Sequence, residues 1–140
     1  MVTDNTLSVD VFTSIRSLLV ATQPFITNST TSATTSAEIR ATLNDMGAIR
    51  PQIILNPISV NESEWKFGSF QGHKLINIVI DCYAGNTLGV DQLRDQVSWL
   101  LKENPINGIE LVGISDDYGA STVNDEKYHL VSITASYDRE

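Results

Sequence analysis

The sequence has few of the residues that most often carry out chemistry. Its 140 residues include one cysteine and two histidines. A single cysteine cannot form an internal disulfide, and neither His73 nor His129 has a second ligand at the spacing of a metal motif. The phosphate-binding patterns GxGxxG and GxxxxGK[ST] and the hydrolase patterns GxSxG and HExxH are also absent. We therefore expect no catalytic residue, no metal and no cofactor.

Long apolar runs and basic residues are scarce as well. The longest aliphatic runs, such as LLVA and IVI, fall far short of the roughly 20 apolar residues that a membrane span needs. The first ten residues contain acids and no basic residue, unlike a secretory signal, which favours an intracellular chain. Nine basic against seventeen acidic side chains give a net charge of −8. This charge repels phosphate and argues against a protein that binds a specific nucleic-acid sequence. It is compatible with the wall of a passive channel through which DNA passes without binding.

Hydrophobic periodicity predicts two amphipathic helices and a shorter third one. Residues 9–22 place Val11, Ile15 and Leu18 on one stripe. The sequence TSAE, residues 35–38, fits a capping box and predicts a short helix that ends at Gly47. The second amphipathic helix, within residues 86–105, has one apolar face formed by Val90, Leu93, Val97, Leu100 and Leu101. Residues 27–36, which are rich in serine and threonine, are typical of a loop or a mobile arm.

Strand patterns fill most of the remaining chain. In residues 74–84 the even positions from Ile76 to Ala84 are apolar, and in residues 127–138 the odd positions from His129 to Tyr137 face one way. Residues 51–60 suit a strand near a sheet edge, and residues 108–115 suit a further strand. With no internal repeat, the order of elements predicts one domain, residues 1–140, of the α+β class. Its mostly antiparallel sheet is packed by an N-terminal and a central amphipathic helix, with a long protruding hairpin before residue 73.

Four residues are candidates for catalytic groups: Cys82, Asp116, Asp117 and His129. Cys82 lies in a row of isoleucines beside an acid, a setting that predicts a small core residue rather than a nucleophile. Asp116 and Asp117 are predicted in a solvated turn between the last two strands, with Tyr118 next to them. One hypothesis for the function, weighed beside the two described below, is a small hydrolase or transferase that uses Asp116, Asp117 and His129.

The predicted hairpin before residue 73 is unusually aromatic. Trp65, Phe67 and Phe70 lie within six residues that also contain Gly68. These side chains either fold back onto the domain as a small cluster or form a protein interface, where aromatic residues are enriched.

The layout of the chain resembles the tail terminator, or tail completion, proteins of long-tailed bacteriophages and related viruses, also called tail-to-head joining proteins. The resemblance rests on LSVDVFTSIRSLLV, PQIILNPIS, the hairpin leading into HKLINIVIDCYAG, the helix DQLRDQVSWLL and the closing KYHLVSITASYD. It covers nearly the whole chain and lies in layout more than in motifs. It implies a small α+β fold, a homo-hexameric ring and no catalytic residues.

That resemblance also implies a place in the virion. The ring would cap the head-proximal end of the tail tube, stop tube polymerisation and join the tail to the head connector, while DNA passes through the lumen. The protein would assemble in the host cytoplasm, with the tube protein and the connector as partners and no membrane. The residues expected at subunit or tube contacts are Trp65, Phe67, Phe70, Asp116, Asp117 and Tyr118. The alternative is a small soluble binding module, or another neck protein, that recognises one protein partner.

Overall fold

The computed structural model describes residues 7–40, 51–56, 59–63, 73–106, 108–123 and 126–139. These ranges contain two helices, α1 (Leu7–Thr22) and α2 (Thr87–Glu103). The strands are β1 (Phe25–Thr27), β2 (Thr34–Ser36), β3 (Glu38–Arg40), β4 (Gln52–Leu55), β5 (Ser59–Ser63), β6 (His73–Ala84), β7 (Ile109–Val123) and β8 (Glu126–Arg139). No helix of the described ranges is long and apolar enough to cross a membrane.

The main sheet has six strands, and β6 and β8 lie at its centre. The order is β3, β4, β6, β8, β7, and β5 pairs with the first half of β6 on the same side as β4. Only β3 and β4 are parallel, and the other pairs are antiparallel. The predicted α+β class, with helices on a mostly antiparallel sheet, is confirmed.

Both helices pack on one face of this sheet. The predicted alternation of β6 is confirmed, since its even positions from Ile76 to Ala84 are fully buried, Cys82 among them. They meet the apolar stripe of α1, represented by Val11 and Ile15, and the predicted face of α2. Burying these aliphatic side chains, at about 25 cal/mol per Å² of apolar surface, supplies the main driving force for the fold.

The opposite face of the sheet carries polar side chains that bind one another. The Ser132 hydroxyl donates to Asp81 Oδ1 at 2.5 Å, and Ser136 donates to Asn77 Oδ1 at 2.6 Å. Asn56 Nδ2 also donates to Asp81 Oδ2 at 2.8 Å. These side chains are half-buried, so their bonds satisfy groups that would otherwise lose water without compensation.

The segment predicted as a serine- and threonine-rich loop folds in part as a hairpin. β1 pairs with β2 from Phe25 opposite Ser36 to Thr27 opposite Thr34. Asn28 closes the turn, because its Oδ1 accepts the backbone amides of Thr30 and Thr31. Local side-chain hydrogen bonds therefore order a segment that has little apolar surface of its own.

The helix predicted from residue 35 is wrong where the structure describes it. Thr35 lies in β2, and Glu38–Arg40 form β3, which pairs in parallel with β4. The capping-box pattern reflects only local preference, and pairing with the buried strand β4 overrides it here. Residues 41–50, the rest of that prediction, lie outside the described residues.

The loop predicted around Asp116 is also wrong. Asp116 lies inside β7 and faces Ile133 of β8, and the pairing continues as far as Val123. SDDYG has the composition of a turn, but β8 is long enough to give each of these residues a backbone partner. β7 contains one irregularity, between Leu111 and Gly113, so Val112 is an extra residue that forms a bulge.

Candidate protein interface at α2 and β7

The residues predicted at protein contacts fall into two groups. Trp65, Phe67 and Phe70 lie in residues 64–72, outside the described residues. Asp116, Asp117 and Tyr118 are exposed on β7, which is the last strand of the described sheet. Their side chains alternate between the two faces of the sheet, and the two faces give them different neighbours.

Asp116 and Tyr118 turn towards α2 and bind it. Arg94 Nη1 lies 3.2 Å from Asp116 Oδ2, and the Tyr118 hydroxyl donates to Asp91 Oδ1 at 2.8 Å. The Arg94 guanidinium also lies 6.0 Å from the centre of the Tyr118 ring, within reach of a cation–π contact. The hydrogen bond to Asp116 raises the pKa of Arg94, and its partial burial opposes that rise. These exposed contacts link β7 to the helix, in addition to the backbone pairing of β7 with β8.

Asp117 points to the opposite face of the sheet. It lies across from Ser132, which in turn donates to Asp81. The structure therefore does not bring Asp116 and Asp117 together at one site. His129 lies opposite Ala120, four positions further along β7 from Asp116. The geometry gives no support to a catalytic group formed by these three residues.

A groove lies between α2 and the first half of β7. Its volume is about 540 Å³, and Trp99 and Val112 line it. Trp99 is 61% exposed and Val112 is 51% exposed, which are high fractions for large apolar side chains. The other lining residues are Arg94, Asp95, Ser98, Lys102, Leu111, Gly113, Ile114 and Asp116. The groove thus combines an apolar mouth with charged groups.

The bulge in β7 contributes directly to this groove. A regular strand would turn Val112 to the face opposite Leu111, whereas both residues line the groove. Gly113 follows, and a side chain added at this position would meet no atom within 4 Å. The bulge therefore widens the apolar surface beside Trp99 and leaves open space at the next position.

The outer edge of β7 is available for a further strand. Within the described part of the chain β7 pairs only with β8, and residues 115–120 are all exposed. An edge strand presents a row of backbone donors and acceptors that another strand can bind. A long edge beside an apolar groove is the feature of this molecule best suited to protein recognition.

Sequence reasoning missed Trp99, although the sequence contained a signal for it. Val90, Leu93 and Val97 define the buried face of α2, and Trp99 lies outside that stripe. A tryptophan on the polar side of an amphipathic helix is not needed for the core, and tryptophan is a residue type that is enriched in protein interfaces.

Cys82 and the other candidate ligands give no reactive centre. Burial, reinforced by the negative charge of Asp81, raises the pKa of the Cys82 thiol well above its ordinary value. The predicted core position of Cys82 is confirmed by its complete burial. Among the described residues no three histidine, cysteine, aspartate or glutamate side chains are grouped so that they could hold a metal ion.

No protein-family model matches the chain, and no curated protein sequence matches it.

Proposed function

We propose that this chain is a virion structural protein of the tail-terminator kind. Copies of it form a ring, expected to be a hexamer, that caps the head-proximal end of the tail tube. The ring stops tube polymerisation and joins the tail to the head connector, and DNA passes through its lumen. The mechanism is steric, because one surface of the ring adds to the tube tip and the opposite surface cannot template another ring.

The observation that carries this proposal is the exposed surface formed by β7 and α2. A structural joint needs surfaces that bind other protein chains, and this domain presents a 15-residue edge strand beside the exposed Trp99. The α+β class, with helices on a mostly antiparallel sheet, is the class that the resemblance implies.

The charge of the chain supports the same proposal. A net charge of −8 disfavours binding to the phosphate backbone, so DNA can pass such a ring without being retained.

Native mass measured against protein concentration tests the ring directly. We expect a discrete species of six chains, and we expect the same sample to stop the elongation of cognate tail tubes in electron micrographs. Bovine serum albumin at equal concentration serves as the control for non-specific effects on tube length. A protein that stays monomeric and leaves tube growth unchanged would contradict the proposal.

A binding module is the second candidate, and the groove between α2 and β7 favours it. The groove presents the exposed Trp99 and Val112 beside charged side chains, a composition that suits contact with one protein partner. A stable monomer that binds one protein partner but not tube ends would support this alternative over the terminator.

A further inference from the structure

The exposed edge of β7 can hold a second chain through its backbone. Residues 115–120 are exposed, and β8 occupies the other edge of the strand. An added strand gains affinity from main-chain hydrogen bonds and specificity from pockets that receive alternate side chains. The groove beside Trp99 supplies such a pocket at the start of this edge.

The groove selects a large apolar side chain. Leu111 and Ile114 are partly buried at its base, and the exposed Trp99 and Val112 also line it. An apolar side chain placed there would cover aromatic and aliphatic surface that is now in water, at about 25 cal/mol per Å² of buried area. Tryptophan is also the residue type most often found at binding hot spots.

The charges near the edge select basic neighbours for that side chain. Glu110 and Asp117 are exposed on β7, and neither has an ion-pair partner among the described residues. Asp95 and Asp116 also line the groove, where both bind Arg94 and where Lys102 is the second base, so the surface as a whole has four acids against two bases. Lysine or arginine in an incoming strand would complement this excess of acid.

The same charges disfavour a second copy of this chain as the occupant. Antiparallel pairing of two β7 edges about Asp116 or Asp117 would place that acid opposite its own copy, and the register that pairs Glu110 with Asp117 would also place acid opposite acid, which is destabilising. β5, SVNES, contains an acid and no base, and β3 has one acid that is paired with its one base, at 3.5 Å. No strand at the opposite edge of the described sheet therefore offers the required positive charge.

We infer that β7 and the adjacent groove bind an extended segment of a different protein, in which lysine or arginine flanks a large apolar residue. The segment adds to the sheet next to β7, and its apolar side chain enters the groove beside Trp99. This inference deepens the proposed function and rests on it for the identity of the partner, which is then the tube protein or the connector. Binding of such a strand can itself be measured independently of the ring.

Two synthetic peptides of equal length test the inference. The first alternates lysine and valine around a central leucine, and the second replaces each lysine with glutamate. Binding is followed by fluorescence in the full chain carrying Trp65→Phe, because Trp99 is then the only tryptophan. We expect the lysine peptide to shift the Trp99 emission to shorter wavelength and to bind at least about tenfold more tightly than the glutamate peptide. Its affinity should fall at an ionic strength of about 1 M, where charges are screened beyond roughly 3 Å.

Matched variants show whether the proposed surface is the one that binds. Trp99→Ala should weaken binding of the lysine peptide about tenfold or more, whereas Leu88→Ala, another exposed side chain of α2 outside the groove, should leave it unchanged. Because Trp99→Ala removes the fluorescent side chain, peptide binding to this variant and to Leu88→Ala is measured by calorimetry. The double variant Glu110→Lys and Asp117→Lys should weaken binding by a similar factor, while Glu103→Lys, a control outside the groove, should not.

The outcomes separate the inference from the proposed function. Equal affinity for the two peptides, or affinity that is unchanged in both test variants, would overturn the inference. A hexamer that caps tubes but binds neither peptide would overturn the inference and leave the proposed function standing. A monomer that binds the lysine peptide at this surface but does not cap tubes would sustain strand binding and overturn the terminator.

Discussion

The side chain of Gln96 binds both backbone groups of Phe25. Its Nε2 donates to the Phe25 carbonyl oxygen at 2.6 Å, and its Oε1 accepts the Phe25 amide at 3.0 Å. One helical turn earlier, Gln92 Oε1 accepts the amide of Thr27 at 2.7 Å. The two glutamines of α2 therefore bind the backbone groups of β1 in the way that a neighbouring strand would. They attach the β1–β2 hairpin to the helix.

Removing these two side chains should detach β1. The double variant Gln92→Ala and Gln96→Ala should lose about 1–2 kcal/mol of stability, since each typical hydrogen bond contributes about 1 kcal/mol net. The Phe25 and Thr27 amides should exchange hydrogen faster, as followed by NMR. Ser98→Ala, on the other flank of α2, is the control and should leave this exchange unchanged. Equal exchange rates in all three proteins would contradict the proposed attachment.

The isoleucines of β6 should dominate the stability of the core. Ile80 is fully buried and faces the helices, so Ile80→Ala should lower the free energy of unfolding by about 2–5 kcal/mol. Val79→Ala, on the other face of the same strand, is half-buried and should cost less than about 1.5 kcal/mol. Urea unfolding measures both values. Similar losses in the two variants would mean that the polar face is covered to the same degree.

The N-cap of α2 is a separate source of stability. Asn86 Oδ1 accepts the amide of Gly89 at 2.7 Å, which satisfies one of the unpaired donors at the start of the helix. Asn86→Ala should therefore cost about 1 kcal/mol, whereas Asn86→Asp or Asn86→Ser should retain most of it. Thermal unfolding followed by circular dichroism ranks the variants. If alanine and serine were equivalent, the cap would contribute nothing.

Stability should fall at alkaline pH because two buried groups resist ionisation. Burial raises the pKa of Tyr137 from 10.0 to about 12, and burial also raises the pKa of Cys82 above 9.0. Above these ordinary values the unfolded chain releases protons that the folded chain keeps, so ionisation favours unfolding. The contribution of these groups is complete below pH 9.0. It is lost progressively as the pH rises towards the pKa of the folded protein.

The two groups can be separated by substitution. Tyr137→Phe should flatten the loss of stability above pH 10, and Cys82→Ala should flatten the part that begins near pH 9, whatever their effect at neutral pH. Urea unfolding at intervals from about pH 8 to about pH 12 measures these slopes. Slopes identical to that of the unchanged protein would show that neither group is protected by the fold.

Periodicity predicted the parts of the fold that depend on burial. The alternation around Ile78 and the helical stripe through Leu93 each record which side of an element faces the core, and both predictions are confirmed. Such patterns are reliable because a shift of one residue would expose the whole apolar set.

Segments with little burial were predicted less well. Glu38–Arg40 became a strand because β4 offered a partner ten or more residues away, and no local pattern encodes that distance. Asp116 was misplaced because most of its surroundings in β7 are exposed, so sequence alternation there carries no burial signal. The groove was missed for a related reason: Trp99 and Val112 come together only through the packing of α2 against β7.

The bulge at Val112 has a consequence for changes in chain length. Leu111 lies opposite Tyr137 and Gly113 lies opposite Ser136, so the residues on either side of Val112 already face consecutive partners on β8. Deleting Val112 would therefore make the backbone pairing of β7 with β8 continuous, and no other side chain would move to the opposite face of the sheet. Deleting Ser115 instead would invert the residues on one side of the gap, which either turns Ile109 out of the core or breaks the contacts of Asp116 and Tyr118 with α2. β7 should consequently tolerate a one-residue deletion at Val112, at the expense of the groove, but not at Ser115.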